Sequence, residues 1–184
     1  MSFVLHSTVL NGRRLTIYVP DAAPPSSAAM RLLVLHDGQN LFDPERSYVH
    51  GHTWGVAETA DALIEAGAMP PTVIAGIDHA GERRVREFGH GAGGYARFVT
   101  REVLPYLRSH FAVSRARADT ALGGSSMGGL VTLQIAAHHP DVFGSLYVFS
   151  PSVWWNRREV LRTIRRPGLF DGWLGRPRGP HTVG

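Results

Sequence analysis

Residues 121–130 read ALGGSSMGGL, and within them Gly124-Ser125-Ser126-Met127-Gly128 matches the pattern GxSxG. The residues before it, ADTALG (118–123), have strand character, and those after it, from about 127 to 138, have helical length and spacing. A strand-to-helix turn this tight leaves little room for side chains at its flanks. That accounts for Gly124 and Gly128 and leaves Ser126 exposed at the C-terminal edge of a sheet. The helix beginning at Met127 points its first amides at the same spot, where they can hold a developing oxyanion. Ser126 is thus the candidate nucleophile; a glycine-rich turn without chemistry is the alternative reading.

Working outward, the chain alternates strands and helices. FVLHSTVL (3–10) and RRLTIYV (13–19) are β-rich and separated by Asn11-Gly12, which predicts a hairpin. After a Pro/Ser/Ala loop (21–29), RLLVLH (31–36) is a continuous apolar run suited to a strand buried on both faces. A helix is predicted over 55–67 and a buried strand over PTVIAGI (71–77). A charged, Gly-rich loop (78–94), a helix over 95–109 with Pro105 inside it, and a strand over 144–149 complete the pattern. Pro105 is expected to kink that helix or split it in two. The fold class is α/β with a mostly parallel sheet.

Composition narrows the function. Hydrophobic residues make up 43% of the 184, enough for one globular domain, and the sequence contains neither an apolar run of membrane-spanning length nor a leader-like N-terminus. A soluble cytoplasmic protein without a membrane partner is expected. With no Cys, thiolate chemistry, disulfides and thiolate zinc ligation are excluded. The net charge of +4 is uneven: residues 1–156 hold 12 Arg against 13 Asp and Glu, whereas 157–184 hold 7 Arg against Glu159 and Asp171. A neutral body with a basic end, and no aromatic-and-basic recognition motif, argues against a nucleic-acid partner.

LHDGQN (35–40) follows the first parallel strand, where a loop can donate a second oxyanion amide. Gln39 N–H and Met127 N–H form the candidate pair. His36 and Asp37 suggest a catalytic dyad or a metal site at first sight. Adjacent residues at a strand end point to opposite sides, so both are read as shaping the loop through hydrogen bonds, and no metal is assigned.

LHDGQNLFDP (35–44), AGID (75–78), RVREF (84–88, beside Arg83), GGSSMGGL (123–130), HPDVFG (139–144) and FSPSVWW (149–155) resemble, in order, the putative esterase family that includes enterochelin esterases and esterase D. The resemblance spans roughly residues 30–156. It implies an α/β-hydrolase fold, hydrolysis of a small-molecule ester without a cofactor, and a Ser-His-Asp triad or Ser-His dyad. It also implies that the loop around Arg86 and the SPSVWW loop with Trp154 border the substrate pocket. A core role for Trp154 or Trp155 stands as the alternative.

The resemblance departs at the end, where family members continue through two more strands that carry the acidic residue and then the histidine. Asp171 and His181 keep that order but lie in a Gly/Pro/Arg stretch without strand or helix period, and are not read as triad partners. His138 and His139 close the helix that starts at Met127, about 16 Å from Ser126 at 1.5 Å per residue, too far for a base. The expectation is therefore an incomplete esterase domain over 1–166, lacking the last strands, and an unordered basic tail over 167–184. Premature termination after a frame change would explain both. An inactive homologue, an acyl-ligand-binding remnant and an acyltransferase are the alternative functions.

Overall fold

The computed structural model describes residues 3–21, 29–90 and 92–165. The predicted tail, with Asp171 and His181, lies outside them. Six strands, β1 (Phe3–Leu10), β2 (Arg13–Pro20), β3 (Arg31–His36), β4 (Thr72–Ile77), β5 (Thr120–Ser125) and β6 (Ser145–Phe149), form one sheet in the order β1-β2-β4-β3-β5-β6. β3 pairs parallel with both β4 and β5, and β5 pairs parallel with β6. β1 and β2 form the antiparallel opening, joined by Asn11 (φ 48°) and Gly12 (φ 73°), the two left-handed residues a tight hairpin requires. β2 runs antiparallel to β4, with Leu15 opposite Ile77.

The apolar runs become strands because helices cover them. All six residues of β4 are buried. On one face lie α2 (Arg84–Gly89), α3 (Ala92–Phe98), α4 (Leu104–His110), α5 (Met127–His138) and α6 (Glu159–Ile164). Their side chains join Leu32, Val34, Val73 and Leu122 of the sheet in the larger core, around Phe88, Val99, Leu107, Leu130 and Phe143. α1 (Val56–Glu65) packs on the other face through Ala57 and Ala60 against Tyr18, Leu35 and Ile74. Beside α1 the surface stays apolar: Trp54, Leu63, Tyr147 and Phe149 are each more than 40% exposed around a cavity of about 290 Å³. Among the described residues β6 pairs on one side only, with β5, and no helix is long and apolar enough to cross a membrane.

Two stretches differ from the sequence reading. Residues 78–94, read as a loop, contain α2 and the start of α3, because Phe88 and Tyr95 are drawn into the core. The helix read over 95–109 is α3, a wide π turn (Val99–Val103) and α4. Pro105 sits in the first turn of α4, where its missing N–H costs least, and the irregular turn lies immediately before it.

Candidate active site

β5 ends at Ser125, α5 begins at Met127, and Ser126 alone makes the turn, with φ 56° and ψ −117°. A non-glycine residue there is strained and must be held by its surroundings. Ser126 N–H donates to Phe149 O at 3.0 Å, and Ser126 O accepts from both Leu130 N–H and Ser152 N–H at 3.0 Å. Ser126 is exposed. The turn is also packed from within: a Cβ on Gly124 would lie 2.8 Å from the Gly128 carbonyl carbon, and one on Gly128 would lie 3.0 Å from Asp37 Oδ2. The elbow is thus pressed against the end of β3.

Beyond β3, Asp37 adopts a left-handed conformation (φ 57°, ψ 46°) and starts the short turn Gly38–Asn40 that carries Gln39. Gly38 crosses Gly76 so closely that a Cβ on it would fall 2.5 Å from the Gly76 carbonyl carbon. The loop is pinned further by Gln39 Oε1, which accepts His79 N–H at 3.3 Å, and by Asn40 O, which accepts Trp54 N–H at 2.9 Å. The backbone N–H groups of Gln39 and Met127 donate to no atom among the described residues. Free N–H groups are normal in the first turn of a helix.

His36 and Asp37 have separate partners. The His36 ring is fully buried, its Nδ1 lies 3.0 Å from Tyr95 Oη, and burial lowers its pKa to about 4. Asp37 is held by Arg84, whose Nε and Nη2 donate to its two carboxylate oxygens at 2.6 and 2.8 Å. Hydrogen bonding to Asp37 is the largest influence on Arg84 and raises its pKa. Both residues shape the loop. Asp78, after β4, is ion-paired with Arg46, while its burial raises its pKa. Among the described residues no group of three or more His, Asp or Glu is placed to hold a metal ion.

The remaining candidates lie further out. Arg86 is exposed on α2 and lines a cavity of about 430 Å³ with Arg13, Arg83, Glu87, Tyr95 and Phe98; no residue of the Ser126 turn borders that cavity. Trp154 is 65% exposed, whereas Trp155 packs over Gly89 and faces the His90 ring at 5.3 Å. The core role thus falls to Trp155. His138 is the last residue of α5 and His139 its cap, at the end away from Ser126. Two residues escaped the sequence reading. Arg84, rather than Arg86, reaches the loop after β3, and Ser152, inside the quoted FSPSVWW, places its Oγ 3.2 Å from Ser126 Oγ.

A mixed sheet with a strained serine between a central strand and a buried helix is the architecture of the α/β-hydrolases. Residues 7–167 match the sequence model of the esterase family described as "Putative esterase", and the chain belongs to that family. It is 31% identical over 161 residues to the iron(III) salmochelin esterase of Escherichia coli O6:H1, a match covering 86% of this chain and 36% of that protein. It is 32% identical over 158 residues to the ferri-bacillibactin esterase BesA of Bacillus subtilis, covering 77% of this chain and 54% of that protein. The siderophore hydrolase EstA of Aspergillus nidulans superposes with a TM-score of 0.70 at 22% identity, over 89% of this chain and 63% of that one. The family and the two bacterial relatives are described as esterases, and the fungal protein as a hydrolase; this chain spans roughly a third to two thirds of their length.

Proposed function

We propose that this chain carries the nucleophile and oxyanion-binding half of a serine esterase site, with Ser126 as nucleophile and the N–H groups of Gln39 and Met127 as the oxyanion hole. The observation that carries it is the exposed Ser126 in its strained turn at the head of the 12-residue helix α5. In the reaction Ser126 Oγ attacks the ester carbonyl carbon, its proton passes to a base, the two amides hold the oxyanion, and the alcohol leaves. Water then releases the acid from acyl-Ser126. Losing one such amide donor typically costs about 10²–10³ in turnover.

The proposed substrate is a siderophore-type ester, by analogy with the relatives. Arg13, Arg83 and Arg86 around the 430 Å³ cavity suit an anionic ligand, with Glu87 paired to Arg13. Trp154 offers an exposed ring on the loop that also bears Ser152. The test is covalent. Diisopropyl fluorophosphate should phosphorylate Ser126 slowly, with an Oγ–P bond formed, the P–F bond broken to release fluoride and the hydroxyl proton passed to solvent, and the adduct should map to the peptide containing residue 126. Ser126→Ala should remove it. An adduct on Ser125 or Ser152 instead would overturn the assignment.

A further inference from the structure

We propose that Ser152 is a positioning residue for Ser126: its hydroxyl donates a hydrogen bond to Ser126 Oγ, fixing that oxygen and stabilising the charge it acquires as its proton leaves. The inference rests on the reading of Ser126 as nucleophile. The direction of the bond follows from burial. Ser152 is 5% exposed, and among the described residues its hydroxyl has one side-chain partner, Ser126 Oγ at 3.2 Å. A buried O–H left without an acceptor costs free energy, so Ser152 gives its hydrogen to Ser126. Ser126 is exposed and can direct its own hydrogen outward, to water or to an approaching base.

The backbone makes this contact rigid. Ser152 N–H donates to Ser126 O at 3.0 Å, Ser126 N–H donates to Phe149 O at 3.0 Å, and Trp155 N–H donates to Ser152 O at 3.0 Å. The turn after β6 is thereby stitched to the turn after β5, with the two hydroxyls in register. Ser150 (φ 40°) takes the strain that turns the chain so that Ser152 points inward while Trp154 stays outside. As negative charge builds on Ser126 Oγ the bond becomes charge-assisted and strengthens; once Oγ is an ester oxygen it weakens. The contact therefore favours the attacking state over the acylated one.

The test uses the full chain and the rate of diisopropyl fluorophosphate labelling at residue 126, followed by mass spectrometry, with urea midpoints measured alongside. Ser152→Ala should slow labelling about tenfold, the order expected for one charge-assisted hydrogen bond. Ser152→Thr, which keeps the hydroxyl, should restore it; if Thr does not fold, Ser152→Cys with its weaker donor should give an intermediate rate. Labelling of Ser152→Ala at the wild-type rate overturns the proposal. So does equal slowing in the Ala and hydroxyl- or thiol-bearing variants, which would mean that shape rather than the donor matters. Label that persists in Ser126→Ala, or label that falls on Ser125 or Ser152 and not on residue 126, overturns the nucleophile reading itself and this proposal with it.

Discussion

At the scale of single residues, His36 makes stability depend on pH. Its ring is buried among Tyr95 and Phe88, and desolvation lowers its pKa from 6.5 to about 4. Between those values the unfolded chain binds a proton that the folded chain excludes. The His36 contribution is therefore fully present above about pH 6.5 and is lost as pH falls toward 4, by about 3 kcal/mol in total. Thermal melts of the wild type and His36→Gln across this window should show a shallower slope in the variant, whatever its absolute stability. Parallel slopes would show that His36 is not the group responsible. His36 and Asp37 could be read as loop-shaping from their adjacency alone, but their partners Tyr95 and Arg84 are 59 and 47 residues away, beyond any local pattern. Arg84 was missed because residues 78–94 were read as a loop, which has no faces. Once α2 is a helix, Arg84 and Phe88 are one turn apart on the inner side, with the guanidinium 5.2 Å from the Phe88 ring centroid, and Arg86 points away.

At the scale of elements, the turn between β5 and α5 was legible because its constraint is local: two glycines, one serine, a strand before and a helix after. The same packing sets unequal costs at the two glycines. A Cβ on Gly124 meets the backbone of Gly128 at 2.8 Å, and backbone cannot move without opening the turn. A Cβ on Gly128 meets a carboxylate oxygen at 3.0 Å, and in α5 alanine regains about 1 kcal/mol of helix propensity. Gly124→Ala should therefore destabilise by about 1–3 kcal/mol, as overpacking does, and Gly128→Ala by less. Urea unfolding checks this, and equal midpoint shifts would contradict it. The division of residues 95–110 into α3, a π turn and α4 was legible only in part. Pro105 announced a break, but its form depends on how Tyr95, Phe98 and Val103 each reach the core.

At the scale of the whole molecule, the parallel strands β3, β4 and β5 deliver His36 with Asp37, Asp78 and Ser126 to one edge of the sheet, and the chain after β6 adds Ser152. Most of the titratable groups on that edge are already engaged. His36 is neutral and bonded to Tyr95, Asp37 is clamped by Arg84, Asp78 is paired with Arg46, and His79 Nδ1 accepts Gly81 N–H at 2.9 Å. Among the described residues no imidazole or carboxylate is hydrogen-bonded to Ser126 Oγ; its partner is the Ser152 hydroxyl. A hydroxyl donor can steady an alkoxide, but it cannot remove the proton that must leave for the alkoxide to form. Turnover by the 184-residue chain should therefore be feeble. Loss of triad members costs serine hydrolases about 10⁴–10⁶ in turnover and leaves roughly 10³–10⁴ over water from oxyanion binding and positioning. With p-nitrophenyl acetate the chain should show a slow hydrolysis that Ser126→Ala lowers little, because the residual comes from oxyanion binding and positioning rather than from the serine, and changes at His138 or His139 should leave it unaltered. Rapid turnover abolished by His181→Ala would place that histidine, which lies outside the described residues, beside Ser126 as its base, and the prediction of a base-free site would fail.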